Sequence, residues 1–164
     1  MKTFPWHFSA CYSTSFRLSY VVRQNRSVDG GQTMTSCQEL VGTETIMVVE
    51  DEDMVREVTK RILERGGYTV LTTANGKEAL DLYSEKKNTI SLIILDFIMP
   101  EMGGKECLEK LREVDPNIKI LVTSGYYVSG MVKEVIESGA GGFIGKPYDS
   151  IAMLRAVRKA LDSG

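Results

Sequence analysis

Histidine is almost missing from this 164-residue chain: the only one, His7, lies in a stretch without hydrophobic periodicity. Ser-His-Asp triads, H-E-x-x-H metal sites and phosphohistidine chemistry are therefore excluded from the periodic part. Cysteine is scarce as well. Cys11, Cys37 and Cys107 are odd in number, far apart and without a C-x-x-C pair. Neither a disulfide framework nor a zinc site is signalled, and a reducing cytoplasm is the expected compartment. No apolar run approaches the length of a membrane span, so no membrane insertion is expected. No signal-peptide core and no G-x-G-x-x-G or P-loop after a predicted strand is present. Net charge is only −2, without a basic footprint for direct nucleic-acid binding.

What is present falls into two parts. Residues 1–44 scatter aromatics among Ser, Thr and Arg and read as a disordered N-terminal extension, with Asp29-Gly-Gly-Gln suited to a linker. Residues 45–164 alternate strand and helix patterns and form the folded domain. Ile46-Met-Val-Val49 is an apolar strand ending in Glu50-Asp51-Glu52-Asp53, and a helix follows with Val55, Val58 and Ile62 on one face. Thr69–Thr73 is the second strand. The second helix, Gly76–Lys86, turns Ala79, Leu80 and Tyr83 inward, with Asn75 as N-cap.

The third strand, Leu92–Leu95, is apolar on both faces and ends on Asp96; Pro100 and Gly103-Gly104 stop its continuation. Gly104 to Glu113 is the third helix, burying Cys107, Leu108 and Leu111. Ile118–Val122 is the fourth strand, running into Thr123-Ser124-Gly125. A helix from about Ser129 to Ser138, a short strand Gly142–Ile144 leading to Lys146-Pro147, and a last helix with Ile151, Leu154, Val157 and Leu161 at helical spacing complete the chain. Five βα units in so short a span predict an α/β, doubly wound, five-stranded parallel sheet covered on both faces.

In such a sheet the residues just past the strands' carboxyl ends converge on one edge. Here they are Glu50, Asp51, Asp96, Ser124 and Lys146. Alone, Asp96 reads equally as a turn starter or as a reactive group, and Glu52 and Asp53 read as compensation of a helix dipole. Together, three carboxylates repel unless a cation offsets them, and a hard divalent ion with oxygen ligands, most simply Mg²⁺, suits that need. Carboxylate, metal, lysine and hydroxyl describe phosphoryl handling. Asp96 attacks phosphorus, Mg²⁺ and Lys146 offset charge on the phosphoryl oxygens, and Ser124 hydrogen-bonds one of them.

Four motifs occur in order: Val-Val-Glu50-Asp51-Glu, Leu-Asp96-Phe-Ile-Met-Pro100-x-Met-x-Gly104, Thr-Ser124-Gly-Tyr and Lys146-Pro147. In combination they resemble the receiver domain of two-component response regulators, over about Thr45 to Leu161. The resemblance implies a flavodoxin-like sheet of strand order 2-1-3-4-5, with Asp96 as phosphoacceptor. It implies a Mg²⁺ site built from Glu50, Asp51, Asp96 and the backbone carbonyl of Ile98, with Glu50 standing where many members have Asp. It makes Ser124 the switch hydroxyl and Phe143 the aromatic switch, the alternative for Phe143 being ordinary core packing.

The function so implied is a phosphoacceptor signalling module, not an enzyme, that takes a phosphoryl group from a histidine kinase or phosphotransfer protein. It then switches a surface between Gly125 and Phe143 and on the last helix. Ile98 and Tyr126 offer no carboxylate or amide to orient an attacking water, so a long-lived phosphoryl-Asp96 is expected. A phosphorylation-independent interaction module and an aspartate-nucleophile phosphatase are the alternatives; the latter needs a general acid, commonly an Asp two residues after the nucleophile, where this chain has Ile98. With no helix-turn-helix after Gly164, output is expected through a downstream protein or onward phosphotransfer, from a stand-alone module or a piece of a hybrid kinase.

Overall fold

The apolar runs become five parallel strands, β1 (Thr45–Val49), β2 (Thr69–Thr73), β3 (Ile90–Asp96), β4 (Lys119–Ser124) and β5 (Gly142–Gly145), ordered β2-β1-β3-β4-β5. This computed structural model describes residues 40–125 and 135–163, all of which fall in one compact unit, Thr35–Gly164. Most of the expected N-terminal extension, Tyr126 and most of the helix expected from Ser129 lie outside the described residues; 135–137 are helical. The other helices are α1 (Asp53–Arg65), α2 (Gly76–Lys86), α3 (Gly104–Val114) and α4 (Ser150–Asp162). Among the described residues no helix is long and apolar enough to cross a membrane.

Alternation along the strands divides the core in two. Met47, Val49, Ile93, Leu95, Ile120 and Val122 meet Ala79 and Tyr83 of α2 and Cys107, Leu108 and Leu111 of α3. Their sequence neighbours Ile46, Val48, Leu92, Ile94 and Leu121 point the other way, onto Leu63 of α1 and Met153, Val157 and Ala160 of α4. Both faces of the central strands are buried, which is why they read as unbroken apolar runs.

Two helix faces differ from the sequence expectation. In α1 Val58 is exposed while Thr59 and Leu63 are buried. A hydroxyl can take the inward position because Thr59 Oγ1 donates to the Val55 carbonyl at 2.8 Å and lies 2.9 Å from Tyr148 Oη. In α4 Ile151 is exposed, and the inward stripe is Met153, Val157 and Ala160. Asn75 does cap α2, its side chain accepting from Glu78 N at 2.9 Å.

Before β1, Leu40 is buried, Gly42 N donates to Gly66 O, and Glu44 meets Arg158 of α4 at 2.8 Å. Across the molecule, Tyr83 is buried and its hydroxyl donates to Asp115 Oδ2 at 2.8 Å, linking α2 to the turn after α3. Tyr83→Phe keeps the ring and removes this one bond. Chemical denaturation is expected to show a loss of about 1 kcal/mol; no measurable loss would mean that water replaces the hydroxyl at the half-exposed Asp115.

Candidate functional site

Strand register sets the site. Val49 pairs with Leu95, Asp96 with Thr123 and Ser124 with Gly145, so the carboxyl ends of β1, β3, β4 and β5 stand level at one edge of the sheet. Glu50 and Lys146 each follow their strand by one residue, and Asp96 and Ser124 are the last residues of theirs. Glu50, Asp96 and Ser124 are buried, whereas Asp51 is exposed. The sequence-predicted residues from four separate strands are thereby brought together.

Lys146 Nζ bridges the two buried acids, 2.6 Å from Glu50 Oε2 and 2.7 Å from Asp96 Oδ2. The other Asp96 oxygen accepts from Ile98 N at 3.2 Å, which ties the loop after β3 back onto the carboxylate. Lys146 is itself fixed from its backbone, its N–H donating to Ser124 O at 2.8 Å. Ile98 is half-exposed in that loop, and Phe143 is half-buried against the core between the sheet and α2–α3.

One carboxylate oxygen from each of Glu50, Asp51 and Asp96 lies within 4.8 Å of the others. Burial, reinforced by the negative charge of Asp96 and opposed by Lys146, pushes the Glu50 carboxyl up to about 7. Burial would lower the Lys146 ammonium, but its hydrogen bonds to Asp96 and Glu50 outweigh that and raise it. The three clustered carboxylates offer hard oxygen donors, and a divalent cation of the Mg²⁺ type fits such a donor set.

Two residues beside the site have no role assigned from the sequence, although Gly104 closes the Asp96 motif. Arg56 reaches back from α1, donating through Nη1 to the carbonyls of Glu50 at 2.6 Å and Asp51 at 3.2 Å, and through Nη2 to the Asp53 carboxylate. Gly104, the first residue of α3, is buried, with its N–H donating to Phe97 O at 3.1 Å. For Arg56 the available signal was a cation in the first turn of a helix, where the dipole disfavours it. For Gly104 it was a glycine at a helix start that is not needed for a left-handed turn.

The family model described as the response regulator receiver domain matches residues 46–158. The sensor kinase CckA of Brucella abortus is 35% identical over 124 residues, which are 76% of this chain and 13% of that protein. The chain thus spans only a small part of this relative. The chemotaxis protein CheY of Thermotoga maritima is 36% identical over 115 residues, covering 70% of this chain and 94% of that protein. Among solved structures, a CheX–CheY–BeF3–Mg²⁺ complex from Borrelia burgdorferi superposes with a TM-score of 0.70 at 27% identity, covering 74% of this chain and 96% of that one.

Proposed function

The chain belongs to the response regulator receiver family and is a phosphoacceptor signalling module, and from that premise we propose that Asp96 is the residue that carries the phosphoryl group. The observation that carries the reading is the single Lys146 ammonium set 2.6 Å from Glu50 and 2.7 Å from Asp96 at the open edge of the sheet. A carboxylate oxygen of Asp96 attacks phosphorus of a phosphohistidine on a histidine kinase or phosphotransfer protein. The P–O bond forms as the P–N bond breaks, and the electron pair of that bond stays with the departing imidazole nitrogen. Asp51, Asp96 and the Ile98 carbonyl would hold Mg²⁺, with Glu50 acting directly or through water, and the ion would supply positive charge to the phosphoryl oxygens.

Lys146 adds a second positive charge there, and the Ser124 hydroxyl donates to one phosphoryl oxygen. Drawing Ser124 towards the phosphoryl group opens space for Phe143 to turn inward, biasing a two-state surface that a downstream protein reads. Two residues after Asp96, where turnover would need a general acid, the side chain is the apolar Ile98. The module is therefore a switch in the cytoplasm that holds its phosphoryl group, with residues 45–164 as the receiver body and 1–44 as an extension.

Incubation of the full chain with acetyl phosphate and Mg²⁺, followed by intact mass measurement and borohydride reduction of the acyl phosphate, tests this. One phosphoryl adduct mapping to Asp96 and persisting for minutes or longer is expected. No adduct despite bound Mg²⁺, or an adduct mapping elsewhere, overturns the assignment, and decay within seconds overturns the long lifetime.

A further inference from the structure

We propose that Arg56 is a positioning residue for the cation site: its guanidinium fork gathers the loop between β1 and α1 so that the Glu50 and Asp51 carboxylates face Asp96. The inference rests on the reading that these three acids hold a divalent cation. Four consecutive residues, Glu50 to Asp53, accept hydrogen bonds from this one side chain and its backbone. Nη1 donates to Glu50 O and Asp51 O, Nη2 to the Asp53 carboxylate, and the Arg56 N–H to Glu52 O in the ordinary helical manner. From the other side, Glu50 N donates to Thr73 O at the end of β2. The peptide carrying the buried acid is thus held at both its N–H and its carbonyl.

A plain surface ion pair with Asp53 does not account for this arrangement. The Asp53 side chain is 89% exposed, and pairs of that kind contribute little. The Arg56 side chain is only 19% exposed, and it places a cation in the first turn of a helix, where the dipole opposes it. The two carbonyl contacts are what offset that position. They also belong to the residues that supply two of the three clustered carboxylates. Hydrogen-bonding partners one layer behind a metal's ligands typically change its affinity by about 10–100-fold when removed.

Charge and geometry make opposite demands here, which gives the test its discrimination. If Arg56 acted only as a positive charge beside the acids, its removal would tighten cation binding. If it acts by holding the loop, removal weakens binding, and a lysine, which keeps the charge but lacks the planar fork, does not restore it. The experiment is calorimetric titration of the full chain with Mg²⁺ alone, for wild type, Arg56→Met and Arg56→Lys, with thermal unfolding in a chelator to confirm folding.

Mg²⁺ affinity is expected to fall on the order of tenfold in both variants, and the Mg²⁺ concentration that half-saturates acetyl phosphate labelling is expected to rise by the same factor. Unchanged or tighter binding in Arg56→Met, recovery of wild-type affinity by Arg56→Lys, or an unshifted Mg²⁺ dependence of labelling overturns the positioning role. Should Arg56→Met fail to fold, the lysine variant decides by itself. Wild-type protein that binds no Mg²⁺ would overturn the underlying site reading; wild-type binding with unaltered variants overturns the fork alone.

Discussion

Asp96→Asn is expected to abolish the phosphoryl adduct while leaving the fold, without divalent cation, at least as stable as wild type. Loss of the adduct follows from chemistry: an amide oxygen is no nucleophile towards phosphorus under these conditions. The effect on stability follows from the local charges. Asp96 accepts from Ile98 N through one oxygen and from Lys146 Nζ through the other, and an asparagine can supply only one of these acceptors. A hydrogen bond to a charged group contributes about 1.5–3 kcal/mol. Against this, two fully ionised carboxylates within 4.8 Å at an effective dielectric of 20 repel by about 3.5 kcal/mol, less in proportion to the protonated fraction of Glu50. Lys146 keeps its contact with Glu50 at 2.6 Å, so no buried ammonium is stranded. Intact mass after acetyl phosphate treatment and thermal unfolding in a chelator are the measurements. A full adduct on the variant would place the acceptor elsewhere, and a marked drop in melting temperature would mean that Asp96 contributes more through its two hydrogen bonds than it costs through repulsion.

The same charges explain how much of the site the sequence made legible. A buried parallel strand is apolar on both faces, so each of β1, β3 and β4 announces where it ends by the first polar side chain after the run: Glu50, Asp96, and Thr123 with Ser124. Because parallel register aligns those ends, reading where the strands stop also placed Glu50, Asp96 and Ser124 at one edge of the sheet. What periodicity missed were positions where polar partners replace apolar ones. Thr59 takes a core position in α1 because Val55 O and Tyr148 Oη satisfy its hydroxyl, and this rotates Val58 into solvent. In α4 the methionine and alanine at Met153 and Ala160 face the sheet while Ile151 does not, since the closeness of the helix to β3 and β4, not side-chain hydrophobicity alone, selects the buried stripe. Arg56 was illegible for a related reason: its partners are backbone carbonyls, which leave no trace in side-chain pattern.

Gly104→Ala is expected to destabilise the fold by about 3 kcal/mol and to slow phosphoryl acceptance by about 10²-fold, although a single methyl group is all that is added. A Cβ built on Gly104 would stand 2.4 Å from the carbonyl oxygen of Asp96 and 2.4 Å from Cα of Phe97. Both are backbone atoms, so no side chain can swing aside, and either α3 or the end of β3 must move. If α3 moves, Cys107, Leu108 and Leu111 are lifted from the core between the sheet and α2. If β3 moves, the Asp96 carboxylate leaves its place beside Lys146. The adjacent glycine provides the control. Gly103 has φ −62°, ψ 155°, and a Cβ there would meet nothing within 4 Å, so Gly103→Ala is expected to unfold and to label as wild type does. Denaturant unfolding and acetyl phosphate labelling of the two variants side by side separate close approach from any general sensitivity of the loop. Equal behaviour of the pair would show that the α3 start yields to a methyl group without cost, and that Gly104 is not what holds the helix against β3.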